Sequence, residues 1–274
     1  MNRLWKAAAK AAVPPGVRTL LRAWLGWRWF EGNYATWAAA KAASGGYDDA
    51  RIVERVAAAT QSVRDGRAAY ERDGVSFADP LPEQALMEAL GLVAGANGGL
   101  LRVLDFGGAL GTTYWRHRRE LAALGEVGWN IVEQPRFAAR GPALADGTPL
   151  RFFPSVAEAA VAGAHDVLLA STTVQYLADP AAVITSWMDR GFPWLLFNNL
   201  PLHRDAPDRI AVQHVPPDIY PASYPVWFFN RERFLARFDG RYEVVREFAS
   251  EAVWPVGWRT YPSTGLLLRR REAR

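Results

Sequence analysis

The 274-residue chain contains no cysteine. Disulfides, cysteine nucleophiles and thiolate metal sites are therefore excluded, which fits a reducing cytoplasm. The four histidines, His117, His165, His203 and His214, are scattered and lack zinc-ligand spacing, so no metal site is expected. No uninterrupted apolar run reaches the roughly eighteen residues of a spanning helix. Acidic residues are missing from positions 1–30, which carry Arg3, Lys6, Lys10, Arg18, Arg22 and Arg28, whereas the remainder is slightly acidic despite a net charge of +4. A nucleic-acid-binding body is therefore not expected. Pro14, Pro15, Gly16 and Arg18 interrupt any apolar core of a secretory signal. Val17, Leu20, Leu21, Trp24 and Leu25 share one helical face, so this arm reads either as a helix on an anionic membrane surface or as one packed on the body with its arginines solvated. The expected location is cytoplasmic, with peripheral contact at the inner membrane surface under the first of these readings.

Half of the residues are apolar, enough for a substantial core. The informative segment is 101–111, Leu-Arg-Val-Leu-Asp-Phe-Gly-Gly-Ala-Leu-Gly, followed by Thr112, Thr113, Tyr114 and Trp115. An apolar strand, an acid, a glycine-rich turn and a helix form the cofactor corner of an open α/β sheet. Gly107, Gly108 and Gly111 can take positive φ and let backbone approach a ligand, and Thr112 can cap the helix. A carboxylate at Asp105 sits badly beside a diphosphate but suits a ligand carrying an ammonium and a sulfonium, which describes S-adenosylmethionine. The segment resembles the first motif of class I methyltransferases, (Asp/Glu)-x-Gly-x-Gly-x-Gly. Ala109 departs from it at the middle glycine, and Gly108 is extra.

Periodicity predicts a short helix ending near Gly45 and Gly46, a second capped by Asp48 and stopping near Gly66, a polar loop at Tyr70-Glu-Arg-Asp-Gly, and a third helix from Pro82. From residue 100 strands and helices alternate: strands at 101–105, 128–133, 151–153, 166–171 and 194–198, then 242–249 and 263–270 as an antiparallel edge. The expected fold is α/β: a Rossmann-like, mostly parallel seven-stranded sheet with helices on both faces and an N-terminal helical extension. The expected organisation is a basic arm 1–30, a helical cap 31–99 and a cofactor-binding core 100–274. Residues 201–229, rich in proline and aromatics, form an insertion over the carboxyl edge of the sheet.

Asp105, Phe106, Gly107, Gly108 and Gly111 are the candidates for the methionine end of the cofactor, and Glu133 for the ribose hydroxyls. Ser155 can touch the adenine edge or simply cap the next helix in a Ser-x-x-Glu box with Glu158. Ser171 and Gln175 follow the fourth strand, where the transferable methyl is expected, and Tyr176 can pack nearby. A hydroxyl acceptor needs a base, for which His203 is the first candidate, with Asp208 and His214 in the same insertion.

Several strings together resemble a bacterial family of methyltransferases whose members are often found with surface-polysaccharide genes. They are Trp-Phe-Glu-Gly-Asn-Tyr with Trp37 and Gly46-Tyr-Asp48, Tyr70-Glu-Arg-Asp73, Leu104-Asp-Phe-Gly-Gly, Trp129-Asn-Ile-Val-Glu-Gln-Pro135, Gln175-Tyr-Leu, and Val215-Pro-Pro with Ala222-Ser-Tyr-Pro. They span about residues 29–250. The resemblance implies a methyltransferase fold, S-adenosylmethionine as cofactor, and a sugar or lipid-linked glycan as acceptor. It also makes Arg72 a candidate partner for the methionine carboxylate. The expected activity is O-methylation of a glycan precursor or related metabolite. The alternative is a catalytically silent methyltransferase-like scaffold in a membrane-associated complex. A nicotinamide dehydrogenase is disfavoured by Asp105 and the incomplete Gly-x-Gly-x-x-Gly.

Overall fold

A computed structural model describes residues 29–46, 49–204, 207–216, 219–256 and 259–272. Most of the basic arm and the Asp48 cap lie outside the described residues. Among the described residues twelve strands are present: β1 (Phe30–Tyr34), β2 (Tyr70–Arg72), β3 (Val75–Phe77), β4 (Leu100–Phe106), β5 (Glu126–Val132), β6 (Leu150–Phe153), β7 (Val167–Ser171), β8 (Trp194–His203), β9 (Arg209–Val215), β10 (Ala222–Asn230), β11 (Tyr242–Val256) and β12 (Arg259–Arg270). The helices are α1 (Trp37–Ala42), α2 (Asp49–Arg64), α3 (Gln84–Ala96), α4 (Thr112–Ala122), α5 (Pro135–Arg140), α6 (Pro142–Ala145), α7 (Val156–Val161), α8 (Pro180–Arg190) and α9 (Arg231–Ala236).

The expected seven strands run β6-β5-β4-β7-β8-β12-β11, parallel from β6 to β8, with β12 antiparallel to both its neighbours. Side chains alternate between two cores. Leu104, Leu168, Leu195 and Phe197 meet Ile184 and Trp187 of α8 and Phe234 of α9 on one face. Val103, Trp129, Leu169, Leu196 and Leu267 meet Leu90 and Val93 of α3 and Trp115 of α4 on the other. A sheet buried on both faces explains why its central strands read as continuous apolar runs rather than alternating ones. Several helix ends are where the sequence puts them. Asp179 Oδ1 accepts from Ala182 N at 2.9 Å, Ser155 Oγ from Glu158 N at 3.2 Å and Asn230 Oδ1 from Arg233 N at 3.0 Å.

Three expectations are corrected. The sheet has ten strands, not seven, because residues 201–229 are not an irregular insertion. β8 runs on to His203, and β9 and β10 form an antiparallel pair that β1 extends and that joins β8 through Phe229 and Asn230. Pro201 and Pro225 sit within these strands at positions with a strand on one side only, where the missing N–H is tolerated. The segment before β4 is therefore not purely helical: β1 belongs to the main sheet. Finally, the Tyr70–Gly74 stretch is not a solvated loop. β2 and β3 form a hairpin whose Asp73 and Gly74 both have positive φ, as a two-residue turn requires, and Tyr70 and Glu71 are buried.

Arg102 and Asp166 fasten β4 to the loop before β7. The Asp166 carboxylate accepts from the Arg102 backbone N–H at 2.8 Å and from its guanidinium at 2.6 and 3.0 Å. Asp166→Ala leaves that half-buried amide and the guanidinium without their acceptor, and urea denaturation should show a loss of about 2 kcal/mol with little change in the slope.

Candidate functional site

The chain lays β5 and β6 on one side of β4, then crosses to lay β7 and β8 on the other. The carboxyl end of β4 is thus a switch point, the place where open α/β sheets leave a crevice. Phe106 stands opposite Val132, Asp105 opposite Leu169, and Ser171 opposite Asn198, so Glu133 and Ser171 flank the turn that follows β4. In that turn Gly107 and Gly111 take φ of 73° and 91°. A Cβ at Gly107 would collide with the side chain of Thr173, and one at Gly108 with the Asp105 carboxyl. Ala109 holds φ at 51° where the motif that the segment resembles has glycine. Gly111, not Thr112, is the N-cap of α4; the Thr112 hydroxyl instead donates to Glu71 Oε1.

Asp105, at the end of β4, is buried. Its carboxyl is 1% exposed and lies beneath the turn, with Oδ2 accepting from Trp129 Nε1 at 3.0 Å. Oδ1 is buried without a partner. Burial pushes its pKa up to about 7; the Trp129 hydrogen bond opposes this and the Glu133 charge adds to it. Half-buried Glu133 folds back on the turn, Oε1 accepting from Ala109 N at 3.3 Å and Oε2 from Gln134 N at 2.7 Å. Burial raises its pKa as well, against these two hydrogen bonds.

The other cofactor candidates fall around this corner. The Phe106 ring packs edge-on against Trp187, 4.9 Å between centroids, leaving its backbone at the rim. Ser171 Oγ accepts from Asn198 Nδ2 at 3.1 Å. Gln175 is fully buried, its Nε2 directed to Asn199 O at 3.4 Å and its Oε1 unpartnered. Ser155 is engaged as the α7 cap and bonds Glu158 Oε1 at 3.0 Å. Arg72 stands on the hairpin with its guanidinium 5.7 Å from the Phe77 ring centre.

The three candidate bases do not converge on the crevice. His203 lies five residues along β8 past Asn198, about 16 Å beyond the level of Ser171 by strand rise, and packs against Tyr261 with ring centres 5.6 Å apart. Asp208 Oδ1 accepts from Asn230 N at 2.7 Å and Oδ2 lies 3.7 Å from Arg237. His214 pairs with Glu31 at 3.4 Å on the β9 ladder. Because β8, β9 and β10 continue the sheet, these three side chains lie along its extension and not at the turn.

What covers the rim is the β2–β3 hairpin. Tyr70 stacks on Phe77 at 4.6 Å and receives Arg116 on its ring at 4.6 Å. Glu71 accepts from Thr112 and, at 3.2 Å, from Gly74 N; burial nevertheless lifts its pKa to about 7. Arg55 of α2 donates to Gly74 O at 3.3 Å and to Ile219 O, tying the hairpin tip to the segment before β10. The Asp73-Gly74 pair was the available sequence signal for this hairpin.

No family model and no curated relative matches the sequence. Among solved structures, the chain is similar to the mitomycin 7-O-methyltransferase MmcR (16% identity, TM-score 0.43, 69% of this chain and 54% of that one). This chain thus spans about half of that protein's length. It is also similar to the N-terminal domain of EvdMO1 solved with SAH and D-fucose (15% identity, TM-score 0.46, 83% and 98%). A third is the magnesium protoporphyrin IX methyltransferase ChlM from Synechocystis PCC 6803 with bound SAH (16% identity, TM-score 0.46, 82% and 100%). Likenesses this distant carry no argument about activity; the fold stands on the chain's own strand order.

The buried Asp105 has a testable cost. Its folded pKa of about 7 exceeds the unfolded value of 3.8, so its contribution to stability is complete below about pH 4 and is lost as pH rises through 7. Asp105→Asn keeps an acceptor for Trp129 but cannot ionise. Urea melts at pH 5 and pH 8 should show the variant gaining on the wild type at pH 8 by roughly 1–4 kcal/mol relative to pH 5.

Proposed function

We propose that the chain is an S-adenosylmethionine-dependent methyltransferase acting on an oxygen of a sugar, glycan precursor or related small metabolite. The observation that carries this reading is the pairing of a glycine turn at the sheet's switch point with two carboxylates, one beneath it and one folded onto it. A diphosphate brought to the α4 N-terminus would meet both negative charges, which disfavours nicotinamide and flavin dinucleotides. A ligand with a cationic amino acid end and a neutral nucleoside end meets favourable partners instead. The unpartnered Asp105 Oδ1 and the positive-φ Gly107 and Gly111 fit such a group: the buried charge lacks a counter-ion, and the backbone is open to close approach.

In this reading Asp105 acts from beneath Gly108 on the ammonium, and the backbone of Phe106, Gly107, Gly108 and Gly111 lines the methionine end. Glu133 turns from the Ala109 amide to accept the ribose hydroxyls, and Ser155 stands near the adenine edge. Ser171 and Gln175 border the reacting centre, and Arg72 pairs with the methionine carboxylate. When bound, the sulfonium supplies an electrophilic methyl carbon; the protein contributes positioning of the acceptor and exclusion of water. An inner-membrane location through residues 1–30 would suit a lipid-linked acceptor and belongs to the same proposal.

Isothermal titration with S-adenosylmethionine and S-adenosylhomocysteine should give saturable binding, and NAD should give none. Glu133→Ala should weaken both nucleosides by roughly 10–100-fold, the cost of two lost hydrogen bonds to a charged group. No heat and no thermal shift at about 1 mM nucleoside, at least tenfold above a micromolar Kd, would overturn the reading.

A further inference from the structure

Beside the turn, one carboxylate is left over. Asp73, at the hairpin tip, forms no part of the cofactor corner, and among the described residues its carboxyl makes no hydrogen bond. Its backbone is held at φ 54°, and the tip is fixed by Arg55 through Gly74 O and Ile219 O. Glu71, two residues earlier, is bound to Thr112 at the start of α4. Asp73 is therefore anchored between the glycine turn and the segment leading into β10.

That segment and the turn after β7 carry three phenols within electrostatic reach of it. Tyr176 and Tyr224 cross almost at right angles, 83° with centroids 5.4 Å apart, and the Tyr176 hydroxyl donates to Gln213 Oε1 at 2.7 Å. Tyr220 is hydrogen-bonded to Tyr224. Burial, and then the nearby Asp73 charge, raise the pKa of Tyr176 and Tyr220; burial and the surrounding phenols and Asp73 do the same for Tyr224. All three rings stay half-buried rather than sealed, and Asp73 is open to solvent although flanked by protein that raises its own pKa. A small cavity of about 80 Å³ is lined by Arg51, Arg55, Ile219, Tyr220 and Pro221.

We propose that the cluster of Asp73 with Tyr176, Tyr220 and Tyr224 is the acceptor site, that it takes a pyranose ring against the tyrosine faces, and that Asp73 receives the proton of the attacking hydroxyl. The inference rests on the methyltransferase reading and names its acceptor class. Perpendicular rings make a corner, which suits a puckered ring bearing C–H edges better than a flat one. Glu71 and Asp73 repel an anionic acceptor. Arg72 beside Asp73 and Arg55 at the tip already balance their charge, so a cationic acceptor is not demanded. The acceptor oxygen bonds to the methyl carbon as the carbon–sulfur bond of the sulfonium breaks, its electron pair staying on sulfur. The hydroxyl proton passes to an Asp73 oxygen and then to water. A carboxyl raised above its ordinary range is a better base for this transfer than a fully solvated one.

The test uses the full chain saturated with S-adenosylhomocysteine, its binding measured first by calorimetry. Saturation-transfer NMR is then recorded with the methyl glycosides of glucose, galactose and mannose, and with tetramethylammonium as a cationic probe. At least one glycoside should receive saturation on its ring protons. Asp73→Asn, which keeps the turn because asparagine tolerates positive φ, and Tyr224→Ala should each cut that signal by about fivefold or more while the nucleoside Kd stays within about twofold. With the binding glycoside and S-adenosylmethionine, kcat should fall at least about 100-fold in Asp73→Asn, and the wild-type acid limb of kcat against pH should disappear. Glu71, Arg72 and the three tyrosines lie within electrostatic reach of Asp73 and Arg55 holds the hairpin tip, so Asp73→Glu, which keeps the charge, should retain the acid limb. Saturation of tetramethylammonium without any glycoside, or a glycoside signal unchanged in Asp73→Asn, would overturn the acceptor site alone. Failure of the wild type to bind the nucleoside would overturn the methyltransferase reading and this inference with it.

Discussion

The arrangement of this crevice depends on a carboxyl that the protein buries and does not neutralise. Asp105 is held beneath a turn whose second residue must lack a side chain, since any Cβ at Gly108 would enter the carboxyl. Trp129, on the adjoining strand, satisfies one oxygen and leaves the other without a partner. An apolar side chain would pack at the end of β4 at lower cost. A buried acid with one free oxygen is stability held in reserve: it is released when a positive group comes within reach, and the turn above it is the route by which one can. Glu133 adds a second negative charge on the same side.

The hairpin turns this corner into a crevice. Its contacts are polar and directed at landmarks of the site: Glu71 at the first residue of α4, Arg55 at the hairpin turn and at Ile219. The same short element therefore references the cofactor corner, through Thr112, and the segment carrying Tyr220 and Tyr224. Glu71 pays for its place with a raised pKa, as Asp105 does. Two buried acids raised toward neutrality, Asp105 beneath the turn and Glu71 bound to the first residue of α4, form a pattern that packing alone does not require.

The parallel core was legible because each of its signals is local. Apolar runs of strand length, Asp179-Pro180, Ser155 with Glu158, and Asn230 each specify an element or its end without knowledge of what packs on it. Two regions were not legible for opposite reasons. In residues 201–229 the prolines read as breakers, and only the tertiary arrangement shows that Pro201 and Pro225 occupy stretches with one strand neighbour. In residues 70–77 a local signal did exist, Asp73-Gly74, but the flanking strands have three residues each, too short to show alternation. The histidines of the insertion attracted attention for their chemistry, yet the register of β8, β9 and β10 decides where they go. The order strand, acid, glycine turn singles out Asp105, and the end of the second strand singles out Glu133, whereas the contact of the Asp105 carboxyl with Trp129 involves a residue the linear motif does not include.

Ala109 bears on whether the corner is a working site or a remnant. The motif's glycine gives a left-handed backbone at no steric cost, and alanine there costs about 1 kcal/mol. A turn that had lost its purpose would be free to relax to an ordinary conformation. Here Ala109 stays at φ 51°, and that conformation presents its amide to Glu133 Oε1. Gly108 takes no positive φ and is demanded for space alone, by Asp105. The two departures from the motif thus divide its requirements: one residue supplies the room that the buried acid needs, the next retains the backbone direction that links the turn to the second acid. The substitution adds strain without dismantling the geometry that the proposed cofactor site requires.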